Sequence, residues 1–438
     1  MSEALFLRAG EGTIQRCAAC AATIPERNPA VECAACGGLL EIVHALPAAR
    51  GAALMAEFAA RSGPARPGVP EESSGVWRFA KIVRPGTTHF VSHPEGNTPL
   101  LAREAVCRYA DAHDLLLKHE GHNPTGSFKD RGMTVAVTQA RDIGASAVAC
   151  ASTGNTSASL AAYAALAGIP ALVFVPRGQI ALGKLSQTLA YGARTLLVDG
   201  DFDACLRLAR QAARELGVYL VNSVNPWRIE GQKTIVFELL QQLSWEPPDW
   251  IAFPAGNLGN ASAFGKALRE ARALGLIDRT PRLLAVQAMG AAPFARSFAS
   301  GFTSRHAVAP ETVATAIRIG DPASWDRAVR AIRETNGVVT SVSDLEILDA
   351  KAAVDASGVG CEPASAASVA GVRQLRARGE IAPGARVVCM LTGHLLKDPD
   401  TVLAYHGGQV QGAARRNAVV EIPAQLAAVE AVLRNRSS

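Results

Sequence analysis

Two doubly wound α/β domains behind a small zinc-ribbon-like segment are the architecture this sequence predicts, and three observations predict it. The chain has 438 residues, more than one core holds, since single cores stop growing beyond about 250 to 300 residues. From about residue 145 short apolar runs alternate with helical stretches, the rhythm of parallel strands covered by helices on both faces. Near the N-terminus four cysteines fall into two C-x-x-C pairs.

Taken in order, residues 1–45 carry Cys17, Cys20, Cys33 and Cys36, with Gly37 and Gly38 after the second pair. That is the spacing of two thiolate knuckles closing on one tetrahedral zinc; four cysteines in an Ala-rich leader, or a metal-free ribbon, are the alternatives. The other five cysteines are scattered singly and read as reduced thiols. Residues 46–80, rich in Ala, Gly and Pro, predict a short helix and a linker. A first α/β domain is expected over 81–224, with strands in SAVACAS, IPALVFVP and ARTLLVDG and helices in TSASLAAYAALAG and ACLRLARQAAREL. A second, over 225–438, has its strands in DWIAFPAG, LLAVQAMG and RVVCMLTG.

Charge is balanced, 44 basic against 39 acidic residues with no long single-sign run, so nucleic-acid binding is not implied. No stretch approaches the roughly 18 apolar residues that span a bilayer. The first residues lack the basic start and apolar core of a signal peptide, so a cytoplasmic protein is expected.

Three polar segments fall where strands end and helices begin, the places at which open parallel sheets bind ligands. Asn123-Pro124-Thr125-Gly126-Ser127-Phe128-Lys129-Asp130-Arg131-Gly132 puts Lys129 near a helix N-terminus. The local positive field and partial burial there lower a lysine's pKa and suit it to a Schiff base, although most lysines after a turn are solvated surface. Ser152-Thr153-Gly154-Asn155-Thr156-Ser157 offers hydroxyls and free N–H groups to a carboxylate, or else a hydroxyl-rich N-cap. Gly256-Asn257-Leu258-Gly259-Asn260 is a small-residue loop whose backbone can approach a phosphate, or a plain turn. A fourth segment, Gly178 to Lys184, fits G-x-x-x-x-G-K, but Leu185 stands where a phosphate loop needs a hydroxyl, so we read it as a chance match.

These segments, together with Glu95-Gly96-Asn97-Thr98-Pro99-Leu100, Asn222-Ser223-Val224-Asn225-Pro226-Trp227-Arg228, Glu362-Pro363-Ala364-Ser365 and Leu391-Thr392-Gly393-His394, resemble the fold type II pyridoxal-phosphate (PLP) enzymes, in detail the threonine synthases, from about residue 75 to residue 400. The resemblance implies PLP in the cleft between the two domains and a homodimer. It implies that Lys129 carries the cofactor and shuttles protons, that Asn155 bonds the ring hydroxyl, and that Gly256, Asn257, Leu258, Gly259 and Asn260 wrap the cofactor phosphate. Thr392 would meet the pyridine nitrogen. Ser152, Thr153 and Thr156 would hold the substrate carboxylate, and Asn222, Ser223 and Arg228 the phosphate of O-phosphohomoserine. Leu258 and Leu395 depart from the smaller residues usual at their positions. A serine or threonine dehydratase has no substrate phosphate to bind, which argues against it; a β-replacement synthase using phosphoserine is harder to set aside.

Overall fold

The computed structural model describes residues 5–62, 68–178 and 185–434. Among them lie three sheets. Strands β1 (Thr13–Cys17), β2 (Thr23–Pro25) and β3 (Leu40–His44) form an antiparallel ribbon in the order β2-β1-β3. Next come β4 (Leu100–Ala102), β5 (Asp114–His119), β6 (Ala147–Ala151), β7 (Ala171–Pro176), β8 (Arg194–Val198) and β9 (Val218–Leu220). The last four are β10 (Trp250–Pro254), β11 (Arg282–Ala288), β12 (Val338–Val342) and β13 (Arg386–Leu391). A four-stranded parallel sheet runs β8-β7-β6-β9, and a six-stranded sheet runs β12-β11-β10-β13-β5-β4, parallel except for β4.

Every predicted apolar run is a strand. β6 and β10 are buried at every position, which is why they read as unbroken apolar stretches rather than alternating ones. β8 carries the apolar run Leu196-Leu197-Val198 but lies at a sheet edge, with Leu197 exposed. Residues 100–119, expected in the first α/β unit, instead give β4 and β5 to the larger sheet, where β5 pairs with β13 in the register Arg386↔Asp114 to Leu391↔His119. The chain enters the large sheet, leaves to build the small one, and returns. Helix Gly51–Ala60 supplies the helix expected after the ribbon, burying Leu54 and Phe58.

Seven helices position the site: α1 (Lys129–Asp142), α2 (Asn155–Ala167), α3 (Phe202–Glu215), α4 (Pro226–Gln232), α5 (Gly259–Ala273), α6 (Trp325–Glu334) and α7 (Pro363–Ala377). Helices α1 and α4 cross so closely that no side chain fits between them. A Cβ on Gly231 would fall 1.8 Å from the Arg131 carbonyl oxygen, and one on Gly132 2.9 Å from that of Arg228. Two glycines thus let the two backbones touch, and with them the residues at either side of the crossing.

Candidate active site

Lys129 opens α1, and the turn before it is pinned from both sides. Asp130, buried in the first turn, accepts from the Thr125 amide at 2.7 Å and from the hydroxyls of Thr125 and Ser159, each at 2.6 Å. On the other side the turn is sewn to the end of β13: Phe128 N–H donates to the Thr392 carbonyl at 3.0 Å and His394 N–H to that of Gly126 at 2.9 Å. Gly126 has φ +83°, the left-handed region that favours glycine. The Lys129 ammonium sits 4.2 Å from the Phe128 ring centroid. Burial, with the Arg228 charge adding to it and Glu362 opposing, pulls its pKa down to about 7. At neutral pH a good share of this amine is the free base, both nucleophile and proton acceptor.

Arg228, on α4, is buried. Its Nη1 donates to the Val221 carbonyl at 3.1 Å, while Nε and Nη2 are buried with no hydrogen-bond partner among the described residues. Burial lowers its pKa to about 10, leaving it charged at neutral pH. A desolvated cation with two donor nitrogens unpartnered is costly unless an anion completes it, and a phosphate matches its planar fork. Its expected partners are differently engaged. Asn222 bridges the backbone of Ala151, accepting from its N–H and donating to its carbonyl, each at 3.0 Å. The Ser223 hydroxyl accepts from Asn257 Nδ2.

Gly256 to Asn260 links β10 to α5. At Gly256 a Cβ would meet the Ile317 backbone at 2.9 Å. Leu258, the N-terminal cap of α5, is buried and holds φ +63° with no side-chain cap. The first amides of a 15-residue helix therefore have no side-chain cap. A leucine held in this left-handed conformation is strained. Asn257 Oδ1 accepts from Ala323 N–H at 2.6 Å, and Asn260 Oδ1 from Gln232 Nε2 at 3.3 Å.

Between these lies the end of β6. The hydroxyl-rich N-cap is not what forms: α2 is capped by Gly154 without a side-chain bond, and the Ser152 hydroxyl accepts from Gly154 N–H at 3.3 Å. Ser152, Thr153 and Thr156 are partly buried around that helix start. Asn155 Nδ2 donates to Glu362 at 2.9 Å, and the buried Thr392 hydroxyl donates to the other oxygen of the same carboxyl at 3.0 Å. Glu362 is the group that sequence reading quoted but gave no role. The signal was an acidic residue just before a proline at a helix start, ahead of Ser365. Ser127 was missed too; its buried hydroxyl finds no partner among the described residues. Residues 179–184, which hold most of the phosphate-loop-like match, lie outside the described residues.

The thiols of Cys17, Cys20, Cys33 and Cys36 all lie within 4.8 Å of one another. Cys17 and Cys36 sulfurs are 3.4 Å apart, Cys20 and Cys33 sulfurs 3.7 Å. Tetrahedral Zn–S bonds of about 2.3 Å put sulfurs roughly 3.8 Å apart, so this cage fits zinc. Ala19 N–H donates to Cys17 Sγ and Gly38 N–H to Cys36 Sγ, each at 3.4 Å, as thiolate ligands require. No described helix is long and apolar enough to cross a membrane.

Residues 91–393 match the family of pyridoxal-phosphate dependent enzymes. Among curated relatives, a threonine synthase of Methanosarcina acetivorans is 45% identical over 89% of this chain and 93% of its own. One of Synechocystis is 48% identical over 79% of this chain and 90% of its own, and one of Mycobacterium tuberculosis 52% identical over 70% and 84%. Among solved structures, threonine synthase from Escherichia coli superposes with a TM-score of 0.60 over 88% of both chains at 22% identity, a likeness of fold. An amine poised as a base stands within reach of the charge of an unfilled guanidinium, and the chain that builds them belongs to the pyridoxal-phosphate dependent enzymes, among the threonine synthases.

Proposed function

We propose that this chain converts O-phosphohomoserine and water into threonine and phosphate. The observation that carries the substrate is Arg228, a buried guanidinium with Nε and Nη2 unpartnered, near enough to Lys129 for its charge to lower that amine's pKa. Arg228 lies on α4 and the open amides on the loop before α5, so each offers donors to an anion.

Pyridoxal phosphate, when bound, supplies an electron-withdrawing ring that makes the Cα and Cβ protons of an amino acid removable. Lys129 would hold it and, released by the substrate amine, act as the base at both carbons; a pKa near 7 suits one amine to taking and returning protons. The amides of Gly256 to Asn260 would hold the cofactor phosphate at the positive end of α5, Asn155 its ring hydroxyl and Thr392 its ring nitrogen. Ser152, Thr153 and Thr156 at the start of α2 would orient the substrate carboxylate. Arg228, assisted by Ser223 and the second N–H of Asn222, would bind the γ-phosphate and stabilise its negative charge as it leaves. Cys17, Cys20, Cys33 and Cys36 would hold one structural zinc, away from the chemistry.

Phosphate release by the purified protein, compared between O-phosphohomoserine and phosphoserine, with threonine deamination assayed beside them, tests the reading. Phosphohomoserine should be turned over at least about tenfold better in kcat/KM, the difference that one misplaced charge-assisted contact makes. Preference for phosphoserine, or deamination of threonine alone, would replace it with a β-replacement synthase or a dehydratase.

A further inference from the structure

Glu362 links the two residues expected to meet the cofactor ring from different sides. Its backbone N–H donates to the Gly393 carbonyl at 3.0 Å, so its place is fixed to the end of β13. One carboxyl oxygen accepts from Asn155 Nδ2 at 2.9 Å and the other from the Thr392 hydroxyl at 3.0 Å. The carboxyl lies over Gly393, where an added Cβ would fall 2.4 Å from Glu362 Cδ and displace the carboxyl from this position. Ser365 completes the chain of bonds. Its hydroxyl accepts from Gly393 N–H at 3.0 Å and stands 3.1 Å from the Thr392 hydroxyl, to which it can donate its own proton.

A hydroxyl carries one proton. With Glu362 ionised, the proton of Thr392 points to the carboxylate and only a lone pair remains for the ring. With Glu362 protonated, the carboxyl donates to Thr392, whose own proton is then free for the ring nitrogen. We propose that Glu362 is a positioning residue which, acting through Thr392, decides whether the cofactor's ring nitrogen meets a hydrogen-bond donor or an acceptor. The inference rests on the reading of Asn155 and Thr392 as ring contacts.

The charged and titratable groups that face Glu362 are Lys129 from the start of α1, Lys397 from the segment after β13, and the thiol of its neighbour Cys361. Both lysines and the two hydrogen bonds favour the carboxylate, but burial outweighs them and holds its pKa above the ordinary carboxyl value. The group is thus set to change state closer to neutrality than a solvated glutamate.

The test is the absorbance of the PLP-loaded protein across pH 5 to 9, in the wild type, Glu362→Gln and Thr392→Val. The amide of Glu362→Gln can donate to Thr392 and accept from Asn155 at once, a fixed mimic of the protonated carboxyl. The wild-type spectrum should shift with a one-proton transition, and Glu362→Gln should keep the low-pH spectrum throughout. Substrate KM should stay within about twofold while kcat loses its matching pH dependence. The same transition, with the same midpoint, in Glu362→Gln would overturn the proposal, as would a wild-type spectrum that does not move. If Glu362→Gln fails to fold, Thr392→Val decides alone, since breaking the chain at its middle must also abolish the transition. An altered Thr392→Val beside an unaltered Glu362→Gln would refute Glu362 while leaving the ring contacts in place. Spectra of both Thr392→Val and Asn155→Ala identical to wild type would instead refute the ring contacts themselves.

Discussion

Lys129 and Arg228 are each costly to bury and inexpensive to use. Only the unprotonated amine attacks an aldehyde, so PLP capture by the apoprotein should speed up as pH rises through about 7 and then level off. A solvated lysine would keep gaining until about pH 10. Stopped-flow absorbance measures this, and a rate still climbing at pH 9 would show that Lys129 is not the capturing amine. Borohydride reduction and peptide mapping should then place the pyridoxyl group on Lys129. For Arg228→Ala we expect kcat/KM for O-phosphohomoserine to fall at least about tenfold, because charge-assisted bonds of roughly 1.5 to 3 kcal/mol each are removed from a buried site. PLP content should persist, since the proposed cofactor cradle at Gly256 to Asn260 is a separate loop. Wild-type turnover, or loss of PLP, in Arg228→Ala would move the phosphate site elsewhere.

At the scale of elements, the crossing of α1 and α4 sets the distance between these two cations. Gly231→Ala places a methyl 1.8 Å from the Arg131 carbonyl oxygen, on rigid backbone. The helices must part, at an overpacking cost of about 1 to 3 kcal/mol. Gly384→Ala, where nothing lies within 4 Å, is the control and should be close to neutral. Urea midpoints of the two variants check this, and equal midpoints would mean the crossing yields freely. The strands were legible in the sequence because fully buried parallel strands read as continuous apolar runs. The edge position of β8 was not, since Leu196 and Leu197 look the same in a centre strand. Nor was the pairing of β5 with β13, which joins Asp114 to Arg386 across most of the chain and leaves no local trace. Lys129, the α5 loop and the cysteine cage announced themselves by local motif. Glu362 did not, because its significance lies in reaching Asn155 and Thr392 on two other elements.

The whole molecule binds its ribbon more tightly than a separable appendage requires. His44, at the end of β3, donates from Nε2 to Glu230 at 2.9 Å, and Glu230 lies on α4 two residues from Arg228. Burial keeps the His44 ring neutral, its Nδ1 accepting from the Thr13 hydroxyl at 3.0 Å. Lys233 pairs with Glu230 at 2.5 Å and with Glu270 at 2.7 Å, while Lys266 of α5 donates to the Ile42 carbonyl at 2.6 Å and also pairs with Glu230. Arg327 of α6 reaches the Leu40 carbonyl at 3.2 Å, and on the far side Glu32 pairs with Arg210 of α3 at 2.6 Å. Removing residues 1–44 therefore exposes a buried ion cluster and leaves Lys266 and Arg327 short of acceptors. Breaking such clusters costs about 3 to 5 kcal/mol where one partner is lost, and His44→Ala, which removes the bonds to Glu230 and Thr13 but no permanent charge, about 1 to 3. Because the folded-state pKa of His44 is depressed, the unfolded chain takes up the proton first as pH falls below about 6.5. His44 thus contributes stability that is present above that pH and lost below it, a loss that His44→Ala should lack. The ribbon's own core is little more than Cys17, Cys33 and Leu40, so the proposed zinc would supply much of what holds it together. Changing Cys17, Cys20, Cys33 and Cys36 to serine should release about one zinc per chain and lower the urea midpoint nearly as far as deletion does. Substrate KM should rise with it, as α4 loses its brace. Full zinc retention in the four-serine variant would refute the cage, and a deletion that melts like the whole chain would show the ribbon to be a passenger on α4.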